Sequence, residues 1–85
     1  MDKYKVAIVD DDEVALENLS FELGKDARFF LKGTARNGKQ GKKLIAKVQP
    51  DLLFLDVELP DMTGMELLQE IRDSVSWNMR IVFYT

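Results

Sequence analysis

The 85-residue sequence has no cysteine and no histidine. The first absence excludes a disulfide framework and a thiolate metal site. The second excludes an imidazole as general base or metal ligand. No apolar run approaches the roughly 20 residues that span a bilayer. The longest, such as Leu52–Leu55, are of strand length. Met1–Lys5 is charged but no long apolar stretch follows it, so no signal peptide is visible. The expected compartment is the cytoplasm, with no membrane partner. With 46% hydrophobic residues the chain is too apolar to be disordered. Its length allows one domain or less, with thin stability.

A net charge of −3 argues against nucleic-acid binding by the chain as a whole. The charges are unevenly placed, however. Between Arg28 and Lys47 stand seven basic residues and no acidic one. Lys39, Lys42, Lys43 and Lys47 fall on one helical face, roughly opposite Leu44, Ile45 and Val48. This reads first as the solvated face of an amphipathic helix.

Three apolar runs end at polar residues. Val6–Val9 precedes Asp10-Asp11-Asp12, Leu52–Leu55 precedes Asp56, and Ile81–Tyr84 precedes Thr85. Four apolar residues without alternation suit strands buried on both faces, as in a parallel sheet. A weaker strand is expected around Phe29–Thr34. Helical spacing separates the runs. Leu16, Leu19 and Leu23 share a face, with Gly24 as the stop. A second helix runs from about Lys39 to Val48, ended by Gln49-Pro50. A third begins at Thr63, where Thr63-Gly64-Met65-Glu66 has the capping-box pattern. The order β-α-β-α-β-α-β predicts an α/β fold with a parallel sheet flanked by helices.

In such a sheet the residues after the strands gather at one edge, where ligands bind. Here that edge collects Asp10, Asp11, Asp56 and Thr85. Each has an ordinary explanation: aspartates after strands form turns or cap helices, and Asp12 is expected to be such a cap. The other reading is a cation site, because gathered carboxylates repel and burial raises the cost of ionising them. Oxygen donors without sulfur or imidazole suit Mg2+. Asp56 could then attack phosphorus as a nucleophile, with Thr85 donating a hydrogen bond to a phosphoryl oxygen.

Ile8-Val9-Asp10-Asp11-Asp12-Glu13, together with Pro50 through Gly64, resembles the receiver domains of bacterial two-component response regulators. The second block is the more specific, joining a strand, Asp56, Pro60 four residues on and Gly64 eight residues on. The resemblance implies a flavodoxin-like sheet in strand order 2-1-3-4. It implies that Asp10 and Asp11 are the acidic pair holding Mg2+, that Asp56 is the phosphoacceptor, and that the backbone carbonyl of Glu58 is a further metal ligand. Pro60 and Gly64 would shape the following loop, and Thr85 would be the hydroxyl that approaches the phosphoryl group. A sensor histidine kinase would be the donor, and an output domain the reader. The wording from Glu58 to Glu66 is similar to receivers joined to LytTR-type DNA-binding domains. A receiver accepts a phosphoryl group on itself and is not a conventional enzyme.

Family members are longer, continuing through a helix, a strand ending in lysine and a last helix. Residues 1–85 are therefore expected to be the N-terminal portion of a receiver, with the edge of Ile81–Thr85 open to self-association. Two other functions compete. An aspartyl-phosphate hydrolase of the haloacid dehalogenase type wants a second aspartate two residues after the nucleophile, and Glu58 stands there, followed by Leu59. A pure interaction module would not need the full acidic set. Gly33–Gln40 nearly fits a phosphate-binding loop, but Gln40 replaces the hydroxyl that must reach Mg2+. Asn37-Gly38 is expected to make a turn there instead.

Overall fold

The strand of highest apolar density, β1 (Tyr4–Val9), lies inside the sheet, and its last four residues are fully buried. Successive side chains of a strand point to opposite faces. Val6 and Ile8 therefore pack on one side with Leu16 and Leu23, whereas Ala7 and Val9 pack on the other with Ile45, Leu53, Leu55 and Leu67. Full burial of each such side chain contributes about 1.5–3 kcal/mol. The unalternating sequence of this strand is thus a consequence of having two cores to fill. The structure, a computed structural model, describes residues 3–84; Thr85 lies outside the described residues.

The chain continues through α1 (Glu13–Gly24), β2 (Phe29–Ala35), α2 (Gly38–Val48), β3 (Leu52–Asp56), α3 (Gly64–Ile71) and β4 (Arg80–Tyr84). All strand pairs are parallel, in the order β2-β1-β3-β4. This is the order and the flavodoxin-like architecture expected from the sequence. Helix α1 covers the Val6/Ile8 face, and α2 and α3 cover the Ala7/Val9 face.

Helix ends follow local chemistry. Asp12 caps α1, accepting from the Val14 N–H at 3.0 Å. Thr63 and Glu66 form the capping box of α3, exchanging bonds of 3.0 and 2.9 Å. Gly24 is the last residue of α1, where the sequence places the stop, and the C-cap Lys25 keeps right-handed geometry. One detail differs from the sequence expectation. Asn37 is not a turn residue but the N-cap of α2, accepting from Gln40 N–H at 2.8 Å. The lysine face of α2 is exposed as expected, and Lys42 pairs with Glu70 at 3.6 Å.

One expectation fails. Strand β4 is not buried on both faces: Ile81, Val82 and Phe83 are 37%, 40% and 40% exposed. Among the described residues it pairs on one side only, with β3.

Candidate metal and phosphoryl site

Strand register fixes the site. Val9 pairs with Leu55, so Asp10 and Asp56, each one residue on, stand level at the ends of adjacent strands. Carboxylate oxygens of Asp10, Asp11 and Asp56 lie within 4.8 Å of one another. Asp10 is buried at 2% exposure, Asp56 is half-buried and Asp11 is exposed. An open depression of ≈ 660 Å³ in front of them is lined by Asp11, Asp12, Asp56, Val57, Glu58, Leu59 and Pro60. Two unit charges about 4 Å apart interact by ~1 kcal/mol in water and ~4 kcal/mol near a protein surface. The cluster is therefore costly alone. Among the described residues, no Lys or Arg stands at ion-pairing distance from any of the three carboxylates.

The electrostatics of Asp56 reflect this. Burial pushes its carboxyl above the usual carboxylate range, and Asp10 and Asp11 push the same way. A hydrogen bond from Glu58 N–H to Asp56 Oδ1, at 3.2 Å, pulls it partly back. Asp10 is held by two donors, Asp12 N–H to Oδ1 at 2.9 Å and Tyr84 O–H to Oδ2 at 2.7 Å. Asp11 offers its carboxylate to the cluster, while its backbone carbonyl accepts from Arg36 Nη2 at 3.2 Å.

The loop after Asp56 is tightly fixed. Val57 carbonyl accepts from Gly64 N–H at 2.8 Å, and Leu59 N–H donates to Met62 carbonyl at 3.0 Å. Among the described residues, no backbone N–H donates to the carbonyl of Glu58. Gly64 sits where a Cβ would run into the Asp56 carbonyl oxygen. Asp61 reaches away from the site and accepts from Gly38 N–H at 2.7 Å and Lys39 N–H at 3.0 Å. Those two amides hold its carboxyl below the usual range.

The structure thus brings together Asp10, Asp11 and Asp56 and places Glu58 and Pro60 on the same depression. Asp12 serves as the helix cap. Thr85, the remaining candidate, lies outside the described residues. The sequence reading missed Tyr84, taken as part of an apolar run, and Asp61. The register that aims Tyr84 at Asp10 is carried by no local pattern.

Oxygen donors alone, one uncommitted carbonyl and a carboxyl disfavoured as an anion form a set that fits a hard divalent cation.

The family model "Response regulator receiver domain" matches residues 6–85. A protein-glutamate methylesterase/protein-glutamine glutaminase of Geobacillus kaustophilus is 42% identical over 71 residues, which is 84% of this chain and 20% of that protein. The probable C4-dicarboxylate response regulator DctR of Bacillus subtilis is 41% identical over 75 residues, covering 82% of this chain and 31% of the relative. The signal receiver domain of the putative response regulator NarL from Mycobacterium tuberculosis superposes with a TM-score of 0.87 at 25% identity, covering 98% of this chain and 66% of that one. The chain spans 20% and 31% of the two curated relatives' lengths. No helix of the described residues is long and apolar enough to cross a membrane. By the match over almost its whole length, this chain belongs to the response regulator receiver domain family.

Proposed function

We propose that the chain is a phosphoacceptor switch in which Asp56 takes a phosphoryl group at a Mg2+ site formed by Asp10, Asp11, Asp56 and the carbonyl of Glu58. The observation that carries this reading is the convergence of three carboxylates at one strand-end edge, with no basic side chain of the described residues at ion-pairing distance. Bound Mg2+ would supply positive charge for the carboxylates and for the oxygens of the incoming phosphoryl group.

The chain's own residues do the rest. The Glu58 N–H holds Oδ1 of Asp56, leaving Oδ2 as the attacking oxygen. Attack forms an O–P bond to Asp56 and breaks the bond between phosphorus and the donor, giving an acyl phosphate. Phosphoryl transfer depends on positioning more than on covalent help. Asp56 meets that need as the last residue of an inner strand followed by a hydrogen-bonded loop. Thr85 would hydrogen-bond a phosphoryl oxygen.

The donor we propose is a sensor histidine kinase in the cytoplasm, and residues 1–85 are the N-terminal part of the receiver. For the output we favour transcription regulation. Named relatives include the transcriptional regulatory proteins YdfI of Bacillus subtilis, at 33% identity, and BtsR of Escherichia coli, at 38%. The methylesterase relatives mark the competing output.

The test is chemical. The protein carrying this domain is incubated with acetyl phosphate, with Mg2+ or with a chelator, and its mass is read. One base-labile phosphoryl group is expected with Mg2+ and almost none with chelator. Equal uptake in both would remove the cation from the mechanism.

A further inference from the structure

Tyr84 stands one register level with the site. It pairs with Asp56 across β3 and β4, and Asp10 lies level with Asp56 on the far side, at the end of β1. The alternation of each strand puts Ile8 and Phe54 on the α1 side of the sheet. Asp10 and Asp56, two residues on, share that parity, and Tyr84 packs on the same side. Asp10 and Tyr84 are two strand spacings apart, about 10 Å between backbones. Few side chains are long enough to cross that gap, and tyrosine does so with a donor at its tip. The ring crosses β3 edge-on to Phe54, with centroids 6.3 Å apart and planes at 78°. Its hydroxyl then donates to Asp10 Oδ2 at 2.7 Å.

From this geometry we infer that Tyr84 is a positioning residue of the cation site and acts through Asp10. The inference rests on the Mg2+ reading above. Asp10 is the most buried of the three acids. A carboxylate has about four lone-pair positions. One on Oδ1 is taken by Asp12 N–H and one on Oδ2 by Tyr84. Two donors on opposite oxygens fix both the rotation and the plane of the group, so its remaining lone pairs are presented in one orientation. The Asp12 donor is backbone and comes with the start of α1. The Tyr84 donor is the one a single side chain supplies. A phenol, with an ordinary pKa of about 10, is a neutral donor at neutral pH. Outer-shell donors of this kind typically carry 10–100-fold in metal affinity.

A ring that merely filled space would serve as well without its oxygen, and Tyr84→Phe separates the two roles. Mg2+ titrations followed by NMR of backbone amides are run on the wild type, Tyr84→Phe, Asp10→Asn and the double variant. Tyr84→Phe is expected to weaken Mg2+ binding about tenfold and to have little further effect when Asp10 is already Asn. A second readout needs no variant. The chain has two tyrosines, and Tyr4 begins β1 at the opposite end of the strands. With tyrosine labelled at the ring carbon bearing oxygen, Mg2+ should move the Tyr84 signal and leave that of Tyr4 in place. This readout decides alone if Tyr84→Phe folds poorly. Wild type that binds no Mg2+ overturns both the cation reading and this inference. Wild type that binds, with unchanged affinity in Tyr84→Phe, an unmoved Tyr84 signal, or equal weakening with and without Asp10, overturns the inference alone.

Discussion

Mg2+ at a hundredfold excess over its dissociation constant is expected to stabilise the folded chain by about 2.7 kcal/mol. For a domain of this size that is a rise of roughly 11–22 °C in melting temperature. The reason is the cluster itself. Folding brings carboxylate oxygens of Asp10, Asp11 and Asp56 within 4.8 Å, whereas the unfolded chain keeps them apart. A cation that binds only the assembled cluster shifts the equilibrium toward the fold. Asp11→Asn separates this cause from a general salt effect. Without Mg2+ the variant should be at least as stable as the wild type, since a like charge has gone. With Mg2+ it should gain far less. Thermal melts of both proteins with and without the ion check the pair of statements, and an equal gain in both would sink the site as assigned.

Gly64→Ala is expected to destabilise the domain by about 1–3 kcal/mol. Intrinsic preference points the other way, because alanine favours a helix over glycine by about 1 kcal/mol. Packing decides the sign. The added methyl would collide with the Asp56 carbonyl oxygen and stand 3.1 Å from both Leu55 Cγ and Phe83 Cε1. The helix start cannot simply retreat, since Gly64 N–H donates to Val57 at 2.8 Å and Thr63 is pinned by its capping box. The backbone of Asp56 would have to move, so Mg2+ binding should weaken alongside stability. Urea denaturation measures the first effect, and a variant as stable as wild type would contradict the packing argument.

Gly64 also shows what the sequence could and could not convey. Its spacing from Asp56 was legible as part of a family pattern, but the close approach that requires glycine appears only when α3 is docked on β3. The inner strands were legible because Val6–Val9 and Leu52–Leu55 fill two cores and so lack alternation. Ile81–Tyr84 has the same pattern, and in residues 1–85 its Ile81, Val82 and Phe83 are 37%, 40% and 40% exposed, at the edge the sequence reading expected to be open. Composition records what could be buried, and only the tertiary arrangement says what is. The acids at the strand ends were legible because a parallel sheet delivers them to one edge. Tyr84 was not, because its role depends on the β3–β4 register, which no local residue pattern sets. Asp61 belongs to the same class: its partners Gly38 and Lys39 are more than twenty residues away in sequence.

The central claim is that Asp56 carries the phosphoryl group. After reaction with acetyl phosphate and Mg2+, borohydride reduction converts an aspartyl phosphate to a stable alcohol that peptide mass spectrometry can place. The account predicts the mark at Asp56, in the peptide that also contains Glu58, and loss of phosphoryl uptake in Asp56→Asn. A mark on Asp10, Asp11 or a residue outside the cluster, with undiminished uptake by Asp56→Asn, would contradict it.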